Sequence, residues 1–320
     1  KPKIVVIVGP TASGKSRVAL EVAERFNGEI VNADSMQVYR YMDIGTAKPS
    51  KEDRERIRHH LIDIRNPDEA FDAAQFRDEA SKAIRKISDR GNLPIVAGGT
   101  GLYIKALTEG IFEVPEIDKE LRERLRKEAE ESGLSSLYNK LRDVDPDAAE
   151  KIGPANTHRI IRALEIFYMT GQPISKHHKE HAFPEKLYSM LKIGLNVERE
   201  TLYKNIDYRV DSMIRAGFVD EVKGLLDMGY GPDLKGMQAI GYSHICRYIK
   251  GEYNLEDSVN LIKRDTRHYA KRQMTWFRRD SEISWFDINE EGCIGDIFSE
   301  VGGFAGQNIY AGGSKARGQG

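Results

Sequence analysis

The spacing of apolar positions changes several times along the chain, and each change marks an element. Ile4-Val5-Val6-Ile7-Val8 is an unbroken apolar run, the signature of a strand buried on both faces. From Val18 the spacing turns helical, through Leu20, Val22, Ala23 and Phe26. Glu29-Ile30-Val31-Asn32-Ala33 and Leu93-Pro94-Ile95-Val96-Ala97 predict two further strands. Phe76, Ala80, Ala83, Ile84 and Ile87 set a helix between them. Alternating β and α segments predict an α/β fold, a parallel sheet with flanking helices. Ligands bind such sheets beyond the carboxyl ends of the strands. The segments beginning at Gly9, Asp34 and Gly98 are therefore expected to converge there.

The pattern changes after about Phe112. Residues 116–182 are charged and helical in spacing, with Leu121, Leu125, Leu134, Leu137, Leu141, Ile160, Ile161, Leu164 and Phe167 as apolar positions. Asp145-Pro146 reads as a helix start and Gly171-Gln172-Pro173 as a stop. The sheet resumes over 190–197, and helices follow at about 199–228 and 255–279. The expected organisation is an α/β core of residues 1–112 and 190–300, interrupted by a helical insertion of residues 113–189. Residues 301–320, Gly-rich and poor in apolar side chains, are expected to form a disordered tail.

Composition narrows the partners. Lys and Arg number 49 against 50 Asp and Glu, so any anion-binding surface must be local. Cys246 and Cys293 are the only cysteines and lack zinc spacing, which fits a reducing cytoplasm. No apolar run approaches a membrane span of about 20 residues, and no signal-peptide pattern precedes the first strand. A cytoplasmic protein with no membrane partner is expected.

Between the first strand and its helix, Gly9-Pro10-Thr11-Ala12-Ser13-Gly14-Lys15-Ser16 has the P-loop spacing G-x-x-x-x-G-K-[ST]. Such a turn points backbone amides at a phosphate and ends at a helix N-terminus. Lys15 would neutralise the ligand, and the Ser16 hydroxyl would help hold Mg²⁺. By motif alone this is a nucleotide-binding, ATP-binding loop. Yet no strand ends in the apolar-run-then-Asp pattern of a Walker B metal ligand, apart from the weak Leu61-Ile62-Asp63.

Asp34, followed by Ser35-Met36-Gln37, could act as a general base or orient Mg²⁺; the plain alternative is a turn or N-cap Asp. Thr100, within Gly98-Gly99-Thr100-Gly101, could approach a ligand or merely close a tight turn. Residues 263–279 carry seven Lys or Arg against one Asp, with Tyr269, Trp276 and Phe277 interleaved. Basic groups there can meet phosphates while aromatics stack on unpaired bases. The alternative is a solvated helix whose aromatics pack inward. In His158-Arg159-Ile160-Ile161-Arg162 the two arginines share a helix face. The His59-His60 and His177-His178 pairs lack helical metal spacing and are read as non-metal.

Taken in order, these segments resemble the tRNA dimethylallyltransferase (tRNA isopentenyltransferase) family, bacterial type. The resemblance also takes in Asn32-Ala33-Asp34-Ser35-Met36-Gln37-Val38-Tyr39, Met42 to Pro49, His59 to Asp63, Arg162 to Glu165, Gln238 to Tyr242 and Lys271 to Arg278. It covers about residues 1–290. It implies transfer of a dimethylallyl group from dimethylallyl diphosphate to N6 of the adenosine just 3′ of the anticodon, by a monomer using Mg²⁺. The loop of Gly9, Pro10, Thr11, Ala12, Ser13, Gly14, Lys15 and Ser16 would hold the prenyl diphosphate in place of ATP. Asp34 would accept the amine proton and Thr100 would position the reacting groups. By the same resemblance Asp34, Ser35, Met36, Gln37, Arg122, His158, Arg159, Arg162, Lys271, Arg272, Gln273, Trp276 and Arg278 would meet the tRNA anticodon stem-loop. Two positions depart from the family pattern: His158 stands where Gln is usual, and Ser243-His244 where Lys-Glu is usual. Three rivals remain: a small-molecule P-loop kinase, an adenylate isopentenyltransferase, and a non-enzymatic RNA-binding switch.

Overall fold

The computed structural model describes residues 1–110, 118–180 and 186–306. Its contacts divide the chain into two units, Lys1–Thr108 with Lys186–Gly320, and Glu109–Glu185. The expected boundary at 112/113 and the tail beyond 306 lie outside the described residues, as does the side chain of His178.

The first unit is built on six strands: β1 (Lys3–Val8), β2 (Gly28–Asn32), β3 (His59–His60), β4 (Leu93–Ala97), β5 (Ser189–Asn196) and β6 (Ile283–Asp287). They form one sheet in the order β3-β2-β4-β1-β5-β6, and every pairing is parallel. β1 lies between β4 and β5, with Val5 beside both Ile95 and Leu191. That central place explains its unbroken apolar run, since Ile4 to Ile7 expose no surface. The edge strands were not legible: β3 is two histidines, and β6 reads Ile-Ser-Trp-Phe-Asp with mostly half-buried side chains.

Helices of this unit are α1 (Lys15–Arg25), α2 (Lys51–Arg56), α3 (Ala73–Asp89) and α4 (Gly101–Thr108) before the insertion. Asp72 starts α3 through a reciprocal capping box with Gln75, and Phe76 on its apolar face stacks on Tyr103 with ring centroids 4.4 Å apart. The second unit is α5 (Lys119–Ser132), α6 (Leu134–Val144), α7 (Pro146–Ile152), α8 (Thr157–Thr170) and α9 (Ile174–Glu180). Its core gathers Leu121, Leu125, Leu137, Leu141, Ile160, Ile161 and Leu164. Asp145 caps α7 through Ala148 N and takes Ser175 N on its other oxygen, which ties α9 to the same corner.

After the insertion the first unit continues with α10 (Arg199–Arg215), α11 (Phe218–Asp227), α12 (Tyr242–Ile249), α13 (Leu255–Phe277) and α14 (Cys293–Ala305). α14 corrects the expected tail. Residues 301–305 end a helix whose Ile297 and Val301 pack with Val18 and Val22 of α1 in one cluster. Composition missed it because four of the thirteen residues of α14 are Gly or Ala, while its apolar positions still fall at helical spacing. Among the described residues no helix is long and apolar enough to cross a membrane.

Candidate active site

The three loops that follow β1, β2 and β4 meet at the carboxyl edge of the sheet. Ala33 N donates to Ala97 O (2.8 Å), Gly98 N to Ile7 O (3.1 Å) and Thr100 N to Ala33 O (3.2 Å). The loop from Gly9 turns into α1 at Gly14, whose φ of 86° is left-handed and favours glycine. α1 begins without a side-chain cap, so its first amides face the edge with nothing of the helix's own to satisfy them.

Lys15 opens α1. Its Nζ donates to Pro10 O at 2.5 Å. Its pKa is lowered to about 7, by burial first and by Arg209 next, against the opposing effect of Asp34. Arg209, on α10, has its own pKa lowered by burial, opposed by Asp34, and donates to Thr46 O at 3.5 Å. Neither cation forms an ion pair among the described residues.

Asp34 leaves β2 and turns back on itself. Its Oδ1 accepts from Met36 N (2.8 Å) and Gln37 N (3.3 Å), the turn geometry considered from sequence. The same side chain lines two cavities. The smaller, about 80 Å³, is polar and includes Lys15, Ser16, Asn32, Gln37 and His59. The larger, about 270 Å³, is walled mostly by apolar groups such as Met36, Met213, Phe218, Ile240 and Ile262. Thr11, Asp34, Arg209 and Tyr269 line both. A charged compartment thus adjoins an apolar one, with a carboxylate at the junction.

Thr100 Oγ1 accepts from Ser35 N at 3.1 Å, so it braces the Asp34 turn. Tyr269 hydrogen-bonds toward Thr100 and Gln273; burial and then Asp34 push its phenol up to about 12. Gln273 corrects an expectation. It is buried, its Oε1 accepts from Thr11 N and its Nε2 donates to Gly99 O, both at 2.8 Å. Its carboxamide clamps the P-loop to the β4 loop and is not free for RNA. Gln37 also spends its amide, on Thr46 O and Ala47 O, which leaves only its carboxamide oxygen for a ligand.

The basic segment divides along α13. Lys263 pairs with Asp211 (2.7 Å) and Arg267 with Asp207 (2.5 Å), both acids on α10. Phe277 is core, as the inward-packing alternative requires. Toward the C-terminal end Lys271, Arg272, Arg278 and Arg279 are exposed and form no ion pair among the described residues. Trp276 is 37% exposed and lies against Gly101, where a Cβ would stand 2.3 Å from its ring. Both alternatives therefore hold, for different stretches of one helix.

In the helical unit Arg122 and Arg162 share one partner. Arg122 donates to Glu165 at 2.5 and 2.7 Å, and Arg162 to the same carboxylate at 2.9 Å. Glu165 is fully buried, and both guanidiniums serve as its counter-charges while their own side chains stay partly exposed. His158 and Arg159, in the first turn of α8, are exposed. Asp63, the weak Walker B candidate, is held by Lys48 (2.6 Å) and Arg54 (2.8 Å) and lines neither cavity. His60 pairs with Glu29 at 2.8 Å.

Toward Mg²⁺ the cavity offers the Ser16 hydroxyl and the Asp34 carboxylate, hard oxygen donors but too few for an all-protein cage. Among the described residues no group of three or more His, Cys, Asp or Glu could hold a metal. The donor set fits an ion that shares its coordination with phosphate oxygens and water.

Arg209 and Tyr269 were missed as site residues. Arg209 comes seven residues after Leu202 on the stripe of α10 that buries Ile206 and Val210. A charge on an apolar stripe was the available signal. Tyr269 lies four residues before buried Gln273, on the same face.

Fold and site define an α/β protein with a phosphate-type loop, a carboxylate that lines both cavities and an adjoining apolar compartment. Comparison narrows the class. A family model described as IPP transferase matches residues 37–280, and the chain belongs to that family. It is 55% identical over 290 residues to tRNA dimethylallyltransferase 2 of Geotalea uraniireducens, covering 91% of this chain and 94% of that one. Among solved structures, the full-length tRNA isopentenylpyrophosphate transferase of Bacillus halodurans is 41% identical, with a TM-score of 0.72 over 96% of this chain and 97% of that one. A eukaryotic dimethylallyltransferase acting on tRNA gives a TM-score of 0.80 at 28% identity, over 98% of this chain and 82% of that one.

Proposed function

We propose that this protein transfers a dimethylallyl group from dimethylallyl diphosphate to N6 of the adenosine 3′-adjacent to the anticodon in tRNA. The observation that carries the reading is the pair of joined cavities, one cationic and one apolar, with Asp34 at their junction. An allylic diphosphate has the same two-part character. Family membership and the names of the relatives support the same reaction.

In this reading Lys15, Arg209 and the first amides of α1 receive the diphosphate. The prenyl chain lies toward the apolar cavity. The adenine amine attacks the allylic carbon, the carbon–oxygen bond breaks, and the pair of electrons leaves with the diphosphate. Asp34 accepts the amine proton, its free Oδ2 being the available oxygen. Thr100 holds the Asp34 turn in register. Mg²⁺, when bound with the diphosphate near Ser16, would supply further neutralisation of the leaving group. The target base must leave its stack to reach the junction. Lys271, Arg272, Arg278 and Trp276, with His158 and Arg159, are the exposed groups suited to the tRNA. The reaction would take place in the cytoplasm.

Labelled dimethylallyl diphosphate with Mg²⁺ and unmodified tRNA tests this, with free AMP and ATP alongside. Label should enter tRNA at that adenosine. Label on AMP alone would favour the nucleotide prenyltransferase, and phosphate transfer from ATP the kinase.

A further inference from the structure

We infer that Glu221, which lines neither cavity, is a positioning residue that sets the donor site through the loop 43–47. The inference rests on the donor-site reading above. Glu221 lies in the first turn of α11 and both of its oxygens are fully engaged. Oε2 accepts from Asp43 N (2.9 Å) and Ile44 N (2.6 Å); Oε1 accepts from Gly45 N (3.1 Å) and the Tyr242 hydroxyl (2.6 Å). Three successive backbone amides converge on one carboxylate, the arrangement a chain uses to bind an anion. Here the anion is the protein's own.

The loop so held is not relaxed by itself. Tyr41 and Ala47, just before and at the end of it, have φ of 66° and 48°, where side chains are disfavoured. Gly45 is pressed between rings; a Cβ there would stand 2.2 Å from Phe218 and 2.6 Å from Tyr242. The loop's carbonyls then reach the site. Thr46 O accepts from Arg209 (3.5 Å) and Gln37 (3.1 Å), and Ala47 O from Gln37 (3.2 Å). The hydrogen bond of Arg209 therefore ends on a loop whose amides end on Glu221. A buried guanidinium with no carboxylate of its own depends on that carbonyl for its aim.

Glu221→Gln keeps the shape but turns a carboxamide NH2, itself a donor, toward backbone donors, so at least one loop amide loses its acceptor. Inorganic diphosphate binding, measured by calorimetry with Mg²⁺, reads the effect without turnover. The variant should bind diphosphate about tenfold more weakly, with tRNA affinity unchanged. In an Arg209→Ala background the same substitution should add little, because Glu221 acts through Arg209. Equal diphosphate affinity in Glu221→Gln and the parent protein, or a full additive loss in the double variant, would overturn the inference. Absence of diphosphate binding in the parent would instead overturn the donor-site reading beneath it. Hydrogen exchange on the unsubstituted protein gives a check independent of the variant's folding. Diphosphate should slow exchange at the amides of residues 43–47, and an unchanged rate there would overturn the inference.

Discussion

Two clusters of buried charge, one in each unit, use the same residue types to different ends. In the helical unit Arg122 and Arg162 both close on Glu165, so each cation makes direct contact with a carboxylate. In the α/β unit Lys15 and Arg209 face a cavity whose one carboxylate, Asp34, has an oxygen committed to backbone amides. Burying a charge without a partner costs free energy that a bound counter-ion can offset. The cluster with direct ion pairs ties two helices together. The one without them suits the diphosphate binding proposed above, and burial, followed by Arg209, lowers the pKa of Lys15 there.

The sharpest way to separate the clusters is to remove one carboxylate from each. Asp34→Asn keeps the turn's acceptor but loses the proton acceptor, so single-turnover prenyl transfer should fall about 10²–10⁴-fold. Stability and substrate affinities should change little. A near-normal rate at saturating substrates would make Asp34 a positioning group only. Glu165→Ala should do the reverse. Two partly exposed guanidiniums lose their shared carboxylate and repel each other, and denaturant unfolding should show a loss of about 1–3 kcal/mol. Diphosphate affinity of the folded fraction should be unchanged. A variant as stable as the parent would mean the triad is not what holds α5 to α8.

Lys15→Ala tests the cluster of the α/β unit from its cationic side. Lys15 meets charge present in both the bound donor and the transition state, so affinity and turnover should fall together, the latter roughly 10²-fold. A smaller effect is expected on α13. Reversing Arg272 and Arg278 to Glu should weaken tRNA binding at moderate salt by about tenfold and flatten its salt dependence, with diphosphate binding intact. Reversing Lys263 and Arg267, which already pair with Asp211 and Asp207, should cost stability more than tRNA affinity.

The same contrast explains what the sequence disclosed. β1 and β4 were legible because buried parallel strands leave continuous apolar runs, and β2 and β5 because apolar residues still dominate their centres. The loops after them were legible because topology fixes where they go. Arg209 was not, because it reaches the site from a helix 175 residues beyond Asp34 and belongs to no local motif. Gln273 was misread as RNA-facing because its neighbours in sequence are basic and exposed. Its spacing from Ile262, Ala270 and Phe277 places it on the buried stripe of α13. The shared partner of Arg122 and Arg162 was not anticipated: Glu165 lies 43 residues from Arg122, a pairing invisible until the helices pack, and only three from Arg162. β3, β6 and α12 are short, and short elements carry too few periods to stand out.

The central claim is that Lys15 and Arg209 await an anionic head group, and the titration of Lys15 tests it most directly. Nuclear magnetic resonance of the labelled side chain can follow its ammonium with and without inorganic diphosphate. Without ligand it should titrate near about 7, against an ordinary value of 10.5. Diphosphate binds the charged form better, so it should move the titration upward. By linkage, its affinity should then fall as pH rises above about 7, by at most about tenfold per unit. A Lys15 that titrates near 10.5 and ignores diphosphate would contradict the account.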